Sequence, residues 1–135
     1  MLMVNPGTYD LCTLAITTAL TNSAQTPIVD LDGMAAANLL FELIGGTGGG
    51  TISALVQTSF DDGNTWLDIS LKTYTNTAVK TRCVLENNAA AAMVDYAALV
   101  ATGVNNGLLG DRLRAVITST GTYTNTNLSI RASVH

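Results

Sequence analysis

Asp30, Asp32, Asp61, Asp62 and Asp68 cluster modestly in this sequence, and the chemistry such carboxylates could do is calcium binding. Two turns brought together could hold a Ca²⁺ ion through side-chain and backbone oxygens. Asp30-Leu31-Asp32-Gly33 has the opening of a calcium loop, but the later ligands and the bidentate Glu are missing. Turn-capping is the ordinary role of such aspartates. Zinc chemistry needs clustered His and Cys, whereas here Cys12 and Cys83 lie far apart and the single histidine, His135, is the last residue, where fraying is expected. The same shortage removes a well-held base for a Ser-His-Asp or Cys-His arrangement. No catalytic residue, metal site or cofactor is assigned, and the chain is read as non-enzymatic. Both cysteines are expected as buried, reduced thiols. A disulfide stays open, since both could face one core.

Two other groups could bind a partner. Trp66 with Tyr9, Tyr74, Tyr96 or Tyr123 could form an aromatic platform for a sugar, although a Trp beside a tight turn commonly packs on its own hairpin. Arg112, Arg114 and Arg131 are half of the six basic residues. If the last two strands form a hairpin turning near Thr120-Gly121, all three guanidinium groups share one sheet face. Such a patch would dock an acidic surface, because Arg suits bidentate carboxylate contacts. Solvated pairing with Asp111 or nearby acids is the simpler alternative.

The elements that must position these residues read as strands. About twenty threonines, with many Val, Ile and Leu, favour extended structure. Period-two alternation runs over Tyr9–Leu20, Ala37–Ile44, Thr51–Phe60, Thr65–Leu71, Val79–Leu85, Arg112–Ser119 and Thr122–Val134. Ile28–Leu31 reads as a short edge strand after a turn-rich stretch, Thr21–Pro27. Ala89–Ala101 is ambiguous, with alanines that favour helix and an alternation that favours a strand after a loop. Gly45-Gly46-Thr47-Gly48-Gly49-Gly50 is not a P-loop, because no Gly-Lys-Ser/Thr follows, and it reads as a mobile hairpin connection. The expected fold is all-β: an antiparallel β-sandwich, jelly-roll-like, of eight or nine strands. An N-terminal arm over 1–8 would precede one sandwich domain over 9–135.

Ser59-Phe60-Asp61-Asp62-Gly63-Asn64-Thr65-Trp66 punctuates two of those strands. Asp61 can fold onto the loop amides, Gly63 can take positive φ, and Trp66 can pack beside the turn. Ser59, Asp61, Gly63, Thr65 and Trp66 are therefore assigned a structural turn role. This octapeptide matches the Asp-box pattern of sialidase propellers and other β-rich domains, a pattern that describes a hairpin rather than a reaction.

Composition bounds the partners. Hydrophobic residues make up 47% and charged residues only 12% of the 135 residues, with a net charge of −4. Charged residues are about half as frequent as in an ordinary soluble domain, which suits a surface with permanent neighbours. Six basic residues give no stripe to follow a phosphate backbone, so nucleic acid is not expected. No apolar run is long enough for a membrane helix. The first residues lack a basic n-region and an h-region, so cytoplasmic synthesis is expected.

The run from Ile52 to Ile69, with Val56-Gln57, Ser59, Asp61, Gly63, Thr65-Trp66 and Asp68, resembles small structural proteins of tailed bacteriophages, which carry a "V-Q-x-S-x-D-G-G-x-T-W-x-D" core. Leu109-Gly110-Asp111-Arg112-Leu113-Arg114-Ala115-Val116-Ile117-Thr118 and Gly121-Thr122-Tyr123 resemble the same group's "L-G-D-x-L-R-V-V-V-T…G-T" ending. Asp62 departs from the group, which often has Gly there. The resemblance implies a virion component with no catalytic residues. Within the virion, the expected role is a capsid decoration, or cement, protein: a homo-oligomer, usually a trimer, that binds the major capsid protein on the capsid surface after synthesis in the host cytoplasm. The alternative is a carbohydrate-binding or tail-associated module of the virion.

Overall fold

The computed structural model describes residues 6–75, 81–86, 95–105 and 108–135, of which 81–86 are described by their backbone. It is an antiparallel β-sandwich. The strands are β1 (Gly7–Ile16), β2 (Leu20–Ala24), β3 (Ala37–Ile44), β4 (Thr47–Gly48), β5 (Ile52–Ser59), β6 (Leu67–Tyr74), β7 (Thr81–Glu86), β8 (Gly103–Val104), β9 (Arg112–Ser119), β10 (Tyr123–Thr124) and β11 (Thr126–Val134). One sheet has the order β1-β11-β3-β7, the other β2-β9-β5-β6-β8, and β10-β4 forms a two-stranded ribbon. The strands outnumber the eight or nine expected because three of them, β4, β8 and β10, are only two residues long.

Alternation builds the core. Leu39, Phe41 and Leu43 of β3 and Leu128, Ile130 and Ala132 of β11 are fully buried, facing Ile52, Ala54 and Val56 of β5 and Leu113, Ala115 and Ile117 of β9. A period of two places such residues on one face, and burying that face against a second sheet is what the pattern requires. A bulge between Val56 and Gln57 of β5, opposite Asp68–Ser70 of β6, breaks the alternation once. Ile69 therefore enters the core, while Leu71 stands on the outer face opposite Leu55, which in turn opposes Val116. The expected single face for Leu67, Ile69 and Leu71 is thus divided by one inserted residue.

Several expected boundaries differ. Strand β1 begins at Gly7, inside the segment read as an arm, by pairing Gly7 with Val134 and Thr8 with Ser133. The stretch Thr21–Pro27, read as a turn, contains most of β2, because β9 offers it a free edge. Ile28–Leu31 is reduced to a single bridge from Ile28 to Leu113. Residues 95–101 are irregular rather than strand, and 87–94 lie outside the described residues. His135 is held at its backbone, donating to Ala36 O and accepting from Ala35 N and Ala36 N.

The glycine run is not a loose hairpin. It carries the chain from one sheet to the other, beside a second crossing at residues 120–125, and β4 pairs with β10 where the two run together. Tyr123 is buried between them; its hydroxyl accepts from Gly50 N at 3.0 Å and donates to Thr51 O at 3.2 Å. A Cβ on Gly46 would overlap Thr124 O, and one on Gly49 would overlap the Tyr123 ring. The glycines admit close backbone approach rather than motion.

Cys12 is buried in β1. The register runs Cys12–Ile130–Phe41–Cys83 across the whole four-stranded sheet. Three strand spacings separate the two cysteine backbones by about 14 Å, well beyond disulfide reach, so the open disulfide alternative is closed. Burial, with a smaller contribution from Asp10, raises the Cys12 thiol from 9.0 to about 11. A raised folded-state pKa stabilises the fold below the unfolded thiol's range, and that contribution is lost as pH climbs from about 9 to about 11. Urea midpoints across this interval should fall by the equivalent of about 2–3 kcal/mol more in the wild type than in Cys12→Ala. Parallel pH profiles for the two proteins would contradict that assignment.

Candidate functional site

The Asp-box hairpin β5–β6 is the one place among the described residues where strands adjacent in sequence pair with each other. Its turn is closed by side chains. Ser59 is fully buried, donates to Asp61 Oδ1 at 2.9 Å, and accepts from Asp61 N at 3.3 Å and Gly63 N at 2.8 Å. Asp61 receives Thr65 N on Oδ1 at 2.8 Å and Thr65 Oγ1 on Oδ2 at 2.7 Å. These bonds, the Thr65 amide first, hold the Asp61 carboxyl below its ordinary range. The contribution therefore persists at neutral pH and is lost as pH falls through the lowered value. Gly63 has φ +90° and Asp62 φ +58°. Asp tolerates that left-handed conformation and Gly adopts it freely, so Asp62 and Gly63 together close the turn.

Ser59→Ala removes one hydroxyl that serves three partners. It should cost about 1–3 kcal/mol in denaturant unfolding, because two turn amides lose their acceptor beside a buried position. A change within error would mean that water replaces the hydroxyl without loss.

A second segment, Gly110-Asp111, 52 residues downstream of Thr58-Ser59, is locked onto this turn. Gly110 N donates to Thr58 Oγ1 at 2.8 Å, Asp111 N to Ser59 O at 2.7 Å, and Asp62 N to Asp111 Oδ2 at 3.2 Å. A Cβ on Gly110 would overlap Ser59 O, so glycine is required there. Strand β9 then pairs with β5, setting Arg112 opposite Ser59 and Arg114 opposite Gln57.

The three arginines do not share a face. Strands β9 and β11 belong to different sheets, because residues 120–125 cross the sandwich instead of closing a hairpin. Arg131 alternates with the buried Ile130 and Ala132 and lies on the outside of the four-stranded sheet. Arg112 and Arg114 alternate with Leu113 and Ala115 and lie on the outside of the other sheet. Arg112 is neutralised locally, 3.6 Å from Asp111 and 3.9 Å from Asp62. Arg114 has a different environment. Its guanidinium stacks over the Trp66 ring, 4.2 Å from the centroid, and its Nε donates to Gln57 Oε1 at 2.9 Å. Gln57 Nε2 donates to Asp68 Oδ1 at 2.8 Å, and the other Asp68 oxygen accepts Leu99 N at 2.9 Å. Gln57 and Asp68 thus complete the arrangement. The β5–β6 hairpin pairs Gln57 with Asp68, whereas their contact with Arg114 depends on the β5–β9 register, for which the sequence carries no local signal.

The other candidates are dispersed. Asp61 and Asp68 spend their oxygens on internal bonds, and no group of three or more His, Cys, Asp or Glu suited to a metal occurs among the described residues. Tyr74 and Tyr123 are in the core, and Tyr9 packs against it. Tyr96 is half exposed, with its hydroxyl accepting Asp68 N at 2.9 Å. Arg114 covers a face of Trp66. With Tyr74 and Tyr123 in the core, the aromatic surface of the expected platform is reduced to Trp66, Tyr96 and the partly buried Tyr9. Compared with protein-family models, with curated proteins and with solved structures, the chain matches none.

Proposed function

We propose that this chain is a non-enzymatic structural protein of a virion, acting as a capsid decoration protein that binds the major capsid protein shell. The observation that supports the reading is the meeting of its two motifs. The segments resembling phage structural proteins, Ile52–Ile69 and Leu109–Thr118, lie far apart in sequence, yet they form one hydrogen-bonded unit through Ser59, Asp111, Gly110 and Thr58. Held against each other in this way, the two segments form one rigid device at the Asp-box end of the five-stranded sheet. Within that device the polar side chains bind one another, which suits a scaffold for presenting a surface. The low charge of the chain fits a protein with permanent neighbours. Arg114 lying on Trp66 takes one ring face that the glycan-binding alternative would use.

Co-sedimentation of the purified protein with bare heads of the cognate capsid protein tests the proposal. Saturable binding that raises the heads' thermal stability is expected, and light scattering of the free protein should give a trimer, three times 14.0 kDa. Absence of head binding overturns the decoration role.

A further inference from the structure

The structure assigns Arg114 as a pre-oriented fork for a carboxylate on a partner protein, and it separates this residue from the other two arginines. Four observations carry the assignment. The guanidinium plane is fixed from below by Trp66, with 4.2 Å to the ring centroid. It is fixed at its inner edge by the 2.9 Å bond from Nε to Gln57 Oε1. The Gln57 amide cannot turn over without loss, because its Nε2 already donates to Asp68 Oδ1 at 2.8 Å. Finally, among the described residues no carboxylate lies within ion-pair distance of Arg114, whereas Arg112 has both Asp62 and Asp111. Asp68 balances the charge from one amide away while the terminal nitrogens, two parallel donors, are not used by it.

Such a fork matches a carboxylate, whose two oxygens accept two parallel N–H bonds. Stacking and the Nε bond remove side-chain freedom before the partner arrives, so less entropy is lost on binding. Partial burial weakens competition from water, and the guanidinium stays charged at neutral pH. A nucleic-acid phosphate is the poorer occupant, because a chain of net charge −4 with one such cation on this face repels a polyanion. The inference deepens the assembly reading by naming the group that docks, an Asp or Glu side chain on the shell, and it rests on that reading only for the partner's identity.

Two measurements keep the two claims apart. Nuclear magnetic resonance of the full chain, titrated with a capped peptide carrying a single glutamate, should move the Arg114 Nε–H and Trp66 indole N–H signals. Arg112→Gln and Arg131→Gln should respond like the wild type, Arg114→Gln should not respond, and Arg114→Lys should respond weakly, because it keeps charge and loses the fork. Equal shifts with inorganic phosphate at matched charge, or a response that survives in Arg114→Gln, overturn the carboxylate assignment. In co-sedimentation with bare heads, Arg114→Gln should weaken binding at least about tenfold. Heads bound equally by wild type and Arg114→Gln overturn the fork while leaving the decoration role intact. A wild type that responds to the peptide but ignores heads overturns the decoration role and supports the fork.

Discussion

Gly49→Ala should destabilise the protein by about 2–5 kcal/mol, whereas Gly33→Ala should cost only about 1 kcal/mol. Both glycines have positive φ, +100° at Gly49 and +88° at Gly33. Both substitutions therefore pay the penalty of a left-handed alanine. They differ in what the new methyl meets. At Gly33 nothing lies within 4 Å, while at Gly49 the methyl overlaps the ring of the buried Tyr123. Relief at Gly49 would require Tyr123 to move, and its hydroxyl is tied to Gly50 and Thr51. Chemical denaturation of both variants measures the difference directly. Equal, small losses would mean that the glycine run has slack and works as the mobile connection its composition suggests.

That comparison also marks what the sequence discloses and what it hides. Alternation located the long strands well: Leu39, Phe41 and Leu43, and Leu128, Ile130, Ala132 and Val134, all face the core as their spacing requires. The Asp-box turn was equally legible, because Ser59, Asp61, Gly63 and Thr65 interact within a few residues. Pairing between distant strands was not. Period two says that a strand has an inner and an outer face, but it does not name the neighbour. Thr120-Gly121 therefore read as a hairpin, although the chain there crosses between sheets, with Tyr123 buried at the crossing. The same blindness placed Arg131 beside Arg112 and Arg114. It also hid Gln57, whose importance arises only when β9 lies against β5 and brings Arg114 opposite. Glycines in a row look alike whether they permit motion or close approach, and only the neighbouring chain decides between the two.

Phe41→Ala should be the most damaging single core truncation, at about 3–5 kcal/mol. Phe41 is wholly buried at the middle of β3, between Ile130 of β11 and the backbone of Cys83 in β7. Among the described residues it is the largest of the fully buried side chains, and both sheets contribute to the apolar cluster around it. Removing the ring loses its transfer free energy and leaves a cavity that strands fixed on both sides cannot collapse into. A domain of this size has about 5–15 kcal/mol of total stability, so the variant should unfold at much lower denaturant and Phe41→Leu should lose far less. Arg114→Gln should change the same midpoint by less than about 1 kcal/mol, since a partly exposed stacking contact contributes little. The contrast places stability in the interior and recognition on the outer face of β5 and β9. If Arg114→Gln proved as destabilising as Phe41→Ala, the guanidinium would be a structural strut of the Trp66 hairpin, and its lost head binding would say nothing about docking.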